Sequence, residues 1–189
     1  MGIIGLGAGT LATYGAKGDV YRFYDINPDV IVIARRDFTY LGDSAATIET
    51  ALGDARLNLE REPPQRFDVL AIDAFSSDAI PVHLITSEAV AVYKRHLAPG
   101  GVIAFHVTDR FLNLIPVVEA LAAAHSLHVI HVADDGPGAL ASRSDWLLLS
   151  ENEELLDKPE LADFATEIAP RRDWRLWTDD FNNIVQVLK

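Results

Sequence analysis

The stretch Ile3-Ile4-Gly5-Leu6-Gly7-Ala8-Gly9-Thr10, followed after a short helix-like segment by Tyr21-Arg22-Phe23-Tyr24-Asp25-Ile26-Asn27-Pro28, reads as strand, glycine loop, helix and second strand. Glycines at alternate positions after an apolar run let the backbone turn sharply and approach a ligand closely. An acidic residue closing the next strand, here Asp25, takes both hydroxyls of a ribose. The implied ligand is a bound adenosine.

Glycine spacing narrows the choice. Dinucleotide sites follow their second glycine with a third Gly or Ala at a position filled here by Thr10. The G-x-G-x-G pattern fits S-adenosylmethionine better, although Asp25 also stands at the distance from Gly5 expected of an NAD ribose acid.

Two further acidic residues sit where later strands of an alternating β/α pattern end. Asp54 follows the strand-like Thr47-Ile48-Glu49-Thr50-Ala51-Leu52, and Asp73 follows Phe67-Asp68-Val69-Leu70-Ala71-Ile72, an apolar run too short for a helix. Periodicity places strands near 2–5, 20–25, 47–52, 67–73, 101–107, 127–132 and 145–149, with helices near 9–16, 28–36, 54–60, 86–97 and 114–125. Asn27-Pro28 suits a helix start, with Asn as cap and Pro in the first turn, and Pro99-Gly100-Gly101 reads as a helix stop. The predicted fold class is α/β and Rossmann-like: a mainly parallel seven-stranded sheet with helices on both faces and an antiparallel last strand. Ligands of such sheets bind at the carboxyl ends of the strands, so the three carboxylates and the glycine loop should converge on one rim.

With 189 residues and 49% apolar content the chain can bury one sizeable core, and a single domain over 1–189 is expected. No apolar run approaches the roughly 20 residues of a membrane span, and Met1-Gly2-Ile3-Ile4 lacks the basic flank of a signal peptide, so a cytoplasmic protein is expected. A formal net charge of −12 argues against a nucleic-acid partner, because binding polyanions relies on Lys and Arg displacing counterions. It leaves room for a cationic small substrate. Cysteine is absent, which excludes disulfides, zinc-thiolate sites and thiol catalysis.

The run Asp73-Ala74-Phe75-Ser76-Ser77-Asp78-Ala79-Ile80-Pro81-Val82-His83-Leu84, preceded by Arg66-Phe67-Asp68-Val69 and followed by Glu88-Ala89-Val90-Ala91-Val92-Tyr93 and Leu97-Ala98-Pro99-Gly100-Gly101-Val102, resembles the spermidine synthase group. It is most similar to the spermidine-synthase-like domains found alone or fused to membrane transporters. The resemblance runs from about residue 3 to 110, and Leu176-Trp177-Thr178-Asp179-Asp180-Phe181-Asn182-Asn183 resembles the ending of the fused subgroup. The glycine loop is shared with class I methyltransferases at large.

The resemblance implies a cofactor, S-adenosylmethionine or its decarboxylated form, and no metal. It puts Gly5, Gly7 and Gly9 under the methionine-like part, Asp25 and Ile26 at the ribose, and Asp54 at the adenine amino group with Ala55 beside it. It makes Asp73 the catalytic carboxylate, in contact with both cofactor and attacking amine, and implies substrate contacts from Asp78 and His83. Two features depart from the family. Its glycine loop usually carries an Asp for the amine of the aminopropyl group, where this chain has Ala8. It also has an N-terminal β-domain over the polyamine site, whereas this sequence starts inside the first strand; the apolar surface so exposed suggests a homodimer.

Three readings stand side by side: an aminopropyl transferase of polyamine biosynthesis, an S-adenosylmethionine-dependent methyltransferase favoured by Ala8, and a non-catalytic adenosine-binding or assembly domain. On all three, Asp25 and Asp54 are expected to serve the ligand and not the fold. His125, His128 and His131 are spaced by three, but 127–132 reads as a strand, where positions three apart face opposite ways, so no metal site is read there. His106, ending a strand, is a candidate contact near the rim. Trp174 and Trp177 are read as core or dimer packing on one helical face.

Overall fold

The computed structural model describes residues 1–74, 81–109, 111–134, 143–168 and 174–189. Its sheet contains β1 (Gly2–Ile4), β2 (Val20–Asp25), β3 (Thr47–Leu52), β4 (Phe67–Ile72), β5 (Leu97–His106), β6 (His128–Asp134), β7 (Ser144–Ser150) and β8 (Ala165–Thr166). The strand order is β3-β2-β1-β4-β5-β7-β6-β8. Neighbours from β3 through to β5 pair in parallel, and β7 runs antiparallel to both β5 and β6. The expected sheet is present with one addition. The two-residue β8 joins the outer edge of β6 at His131 and Val132, making eight strands among the described residues where the sequence suggested seven.

The α-helices are α1 (Pro28–Asp37), α2 (Tyr40–Asp43), α3 (Ala55–Arg61), α4 (Ser87–Arg95), α5 (Ile115–Ala124), α6 (Glu153–Leu156) and α7 (Pro159–Ala162). Their starts are chemically marked. The Asn27 side chain accepts from Asp29 N, Asp54 from Leu57 N and Thr86 from Ala89 N, each satisfying a backbone donor of a helical first turn.

Three local expectations are corrected. The segment after the glycine loop is a five-residue 3₁₀ turn, Thr10–Tyr14, and not a helix over 9–16. Pro99-Gly100-Gly101 does not stop a helix: α4 already ends at Arg95, and the triplet belongs to β5. There Leu97 pairs with Phe67 and Val102 with Val69, so β5 bulges against β4. Gly100 takes φ 74°, and a Cβ on Gly101 would lie 2.8 Å from the Phe67 carbonyl oxygen, which is why glycines stand in this strand. Residues 174–177 are not helical, yet Trp177 is 1% exposed and Trp174 packs against the same core, so the packing role holds without the helix.

The sheet separates two cores. Ile3 and Phe23 pack with Leu6, Ala12, Ala34 and Leu41 on one face, while Ile4, Tyr24, Ile72 and Phe105 pack on the other with residues of α3, α4 and α5. Alternation along each strand divides neighbours in this way. Register then fixes the rim. Tyr24, Ile4, Ile72 and Phe105 lie side by side across β2, β1, β4 and β5, each at most 2% exposed. One residue further along the four chains stand Asp25, Gly5, Asp73 and His106.

Candidate functional site

That polar row sits where β1 and β4 adjoin, the point at which the chain leaves the β3 side of the sheet and begins building the other. Open α/β sheets bind ligands at such switch points. Gly5 donates its N–H to the Tyr24 carbonyl at 2.8 Å, and Asp73 donates to Ile4 at 2.8 Å, so both loops leave the sheet along continued ladders. Gly5 has φ 99°, and a Cβ there would fall 2.3 Å from the Asp73 carbonyl oxygen. Only glycine fits. Gly7, with φ 53°, is exposed and meets nothing within 4 Å on the side a Cβ would occupy, leaving its backbone open to an approaching molecule.

Asp25 reaches back to the glycine loop. Its Oδ2 accepts from Leu6 N at 3.0 Å and its Oδ1 from Asn27 N at 2.9 Å. Ile26 beside it is 70% exposed. Asp54 likewise holds local structure: Oδ1 accepts from Leu57 N at 2.9 Å while Oδ2 lies 2.7 Å from His83 Nε2. The expectation that these two carboxylates serve only a ligand is therefore corrected, because each anchors backbone N–H groups. A carboxylate offers about four lone-pair sites, so both retain capacity for ligand hydroxyls or an amino group. Ala55, 6% exposed, begins α3 against the core.

Asp54 and His83 share one wall of an open cleft of about 390 Å³. The opposite wall is Thr178, Asp179 and Asn182, from the far end of the chain. Arg56 ties the walls together, donating to Asp179 at 2.6 and 2.5 Å and to the His83 carbonyl at 3.0 Å. These hydrogen bonds hold the Asp179 carboxyl below its ordinary range. Sequence reading missed this pair. Its only signal was the acidic Asp179-Asp180 within the C-terminal motif.

Asp73 is the other polar centre, with its side chain 31% exposed. His106 Nδ1 lies 2.7 Å from Asp73 Oδ1, and Nε2 lies 2.9 Å from Thr108 Oγ1. The imidazole stacks on Trp146, its registered neighbour on β7, with centroids 4.6 Å apart and planes 9° from parallel. Thr108 and Trp146 were not legible as site residues. Asp78, expected at the substrate, lies outside the described residues.

The remaining four histidines have separate partners: His96 meets the Leu59 carbonyl, His125 meets Ser87, His128 approaches Glu153, and His131 bonds Asp145 and Thr166. Among the described residues no group of three or more His, Cys, Asp or Glu side chains is arranged to hold a metal ion. Nor, among them, is any helix long and apolar enough to cross a membrane. Arg175 stacks on the Phe181 ring at 3.5 Å.

The strand order, with β7 antiparallel to its neighbours, gives the Rossmann-like fold shared by spermidine synthases and an O-methyltransferase of known structure. In sequence the chain is similar to a polyamine aminopropyltransferase. It is 33% identical over 108 residues to the polyamine aminopropyltransferase of Vibrio vulnificus strain CMCP6, a match covering 53% of this chain and 35% of that protein. The chain thus spans about a third of the length of this curated relative. No family model matches it. A probable spermidine synthase from Corynebacterium glutamicum ATCC 13032 superposes with TM-score 0.60 at 23% identity, covering 81% of this chain and 57% of that one. A spermidine synthase in complex with the transition-state analogue AdoDATO gives 0.53 at 16%, covering 95% and 61%. The O-methyltransferase of Bacillus cereus in complex with SAH gives 0.53 at 15%, covering 79% and 72%.

Proposed function

We propose that this domain binds an S-adenosylmethionine-type nucleoside along the rim and transfers an aminopropyl group from the decarboxylated form to an amine acceptor. The observation that carries the reading is Asp73: a partly open carboxylate, one residue beyond the buried row of the sheet, against the glycine of the loop that approaches the ligand. Gly7 leaves room for the sulfonium end, Asp25 takes the ribose hydroxyls, and Asp54 with Ala55 takes the adenine edge. His83, in the 3₁₀ turn Val82–Leu84, contributes to the acceptor side, to which the sequence resemblance also assigns Asp78.

The chemistry asks little beyond placement. The amine nitrogen attacks the carbon next to the sulfonium, the new C–N bond forms as the C–S bond breaks, and methylthioadenosine leaves as a neutral thioether. The proton shed by the amine goes to Asp73. Positioning supplies several kcal/mol of the barrier reduction and a general base about 10²- to 10⁴-fold. A methyl transfer from intact S-adenosylmethionine is the second reading, favoured by Ala8 where the family carries an acid for the aminopropyl amine.

Thermal-shift binding with S-adenosylmethionine, its decarboxylated form, methylthioadenosine and NAD tests the ligand class. A nucleoside at about 100 times its Kd should stabilise the fold by about 2.7 kcal/mol; stabilisation by NAD alone overturns the reading. Turnover assays with putrescine and other amines, using each sulfonium donor, then separate aminopropyl from methyl transfer.

Asp25→Ala should act twice. Losing charged hydrogen bonds to the ribose weakens nucleoside binding by about 1 to 3 kcal/mol, and orphaning the part-buried Leu6 N–H costs stability on the same order. Isothermal titration alongside urea unfolding measures both. Unchanged affinity per folded molecule would make Asp25 purely structural.

A further inference from the structure

The rim holds a second side chain that neither the glycine loop nor the ribose acid accounts for. His106 is fixed on three sides: by the Trp146 stack, by Thr108 Oγ1 on Nε2, and by Asp73 Oδ1 on Nδ1. Thr108 is itself oriented, since its hydroxyl oxygen accepts from Asp145 N at 2.6 Å. That leaves the hydroxyl hydrogen free to donate to Nε2, which puts the ring proton on Nδ1, pointing at Asp73. Should the ring carry both protons, Thr108 accepts from Nε2 and the Nδ1–H still faces Asp73. In either state the hydrogen bonds made by Asp73 to described side chains engage Oδ1 and leave out Oδ2.

We propose that His106 is a positioning residue for Asp73: by donating from Nδ1 to Oδ1 it locks the carboxylate in one rotamer and reserves Oδ2 for the proton of the attacking amine. This rests on the transfer reading above. A carboxylate at a loop start is free to rotate about two bonds, and an orientation error of an ångström at a reacting group costs on the order of 10²-fold in rate. The register of the sheet removes that freedom, because Asp73 and His106 are the next pair along after Ile72 and Phe105 on adjacent strands. Trp146 then fixes the ring plane from the other side.

The test uses two variants of the whole chain. His106→Phe keeps a flat ring on Trp146 and loses both nitrogens; His106→Asn loses the stack and keeps an amide nitrogen where Nδ1 stood. The expected result is a fall in kcat of about 10²-fold for Phe, with nucleoside affinity and unfolding midpoint near wild type, and recovery of much of that loss by Asn. Full kcat in a folded His106→Phe protein overturns the proposal, as does an Asn variant no better than Phe. ¹⁵N spectra of the imidazole give a readout independent of turnover: Nδ1 should be protonated in wild type, and an unprotonated Nδ1 overturns the assignment. If wild type transfers nothing to any amine, the functional reading fails, while those spectra still decide whether His106 donates to Asp73.

Discussion

Asp73→Asn should lower transfer by about 10²- to 10⁴-fold while nucleoside affinity stays within the error of wild type. The substitution is conservative in geometry. An amide oxygen at the Oδ1 position still accepts from His106 Nδ1 at the 2.7 Å the carboxylate uses, so the ring and its stack on Trp146 need not move. What disappears is the capacity to take a proton from an ammonium, and that loss appears in kcat and not in ground-state binding. Steady-state kinetics with an amine acceptor, beside calorimetry with methylthioadenosine, separates the two. An active wild type whose Asn variant keeps its full rate would show that Asp73 is not the base, and would shift the balance to methyl transfer onto an atom that needs none.

Trp177→Ala should lower stability by about 3 to 5 kcal/mol, the range for removing a large aromatic from a packed interior. Trp177 is 1% exposed, and its carbonyl accepts from Ser87 N at the start of α4. Its indole N–H makes no hydrogen bond among the described residues, so Trp177→Phe discards an unsatisfied donor together with apolar area and should cost much less. Urea unfolding of both variants measures the difference. Equal, small losses would mean that the segment around Trp177 is a loosely held appendage.

The strand-end acids were legible because buried parallel strands write themselves as short, continuous apolar runs, and Phe67 to Ile72 ends where its apolar residues end. Asn27, Asp54 and Thr86 announce their helices by side-chain chemistry that acts within three residues. Reading failed where meaning depends on a partner distant in sequence. Pro99-Gly100-Gly101 has the composition of a helix stop, and only the Phe67 carbonyl beside Gly101 turns it into a bulged strand. The two-residue β8 has no periodicity to detect, and α2 is a single turn. His106 could be read as a candidate contact near the rim, but not as the partner of Asp73, because that pairing comes from register across β4 and β5, which one-dimensional spacing does not carry. Asp25 and Asp54 were assigned to the ligand alone because the sequence does not show which backbone N–H groups a carboxylate will meet.

Arg56 and Asp179, which brace the two walls of the cleft, lie 123 residues apart. A portion of the chain holding only the glycine loop, Asp25 and Asp54 would lack a whole side of the cleft, the side that Thr178, Asp179 and Asn182 supply. Long-range closure of this kind comes late, because the intervening chain must be ordered before the contact repays it. Pulse-labelled hydrogen exchange during refolding should therefore protect the amides of β1 and β2 before that of Asp179, which donates to Glu88 at 3.0 Å. Simultaneous protection would mean that both ends condense together. On the sequential course, an intermediate folded only as far as the first wall presents half a cleft, and closure by Asp179 becomes the step that completes it.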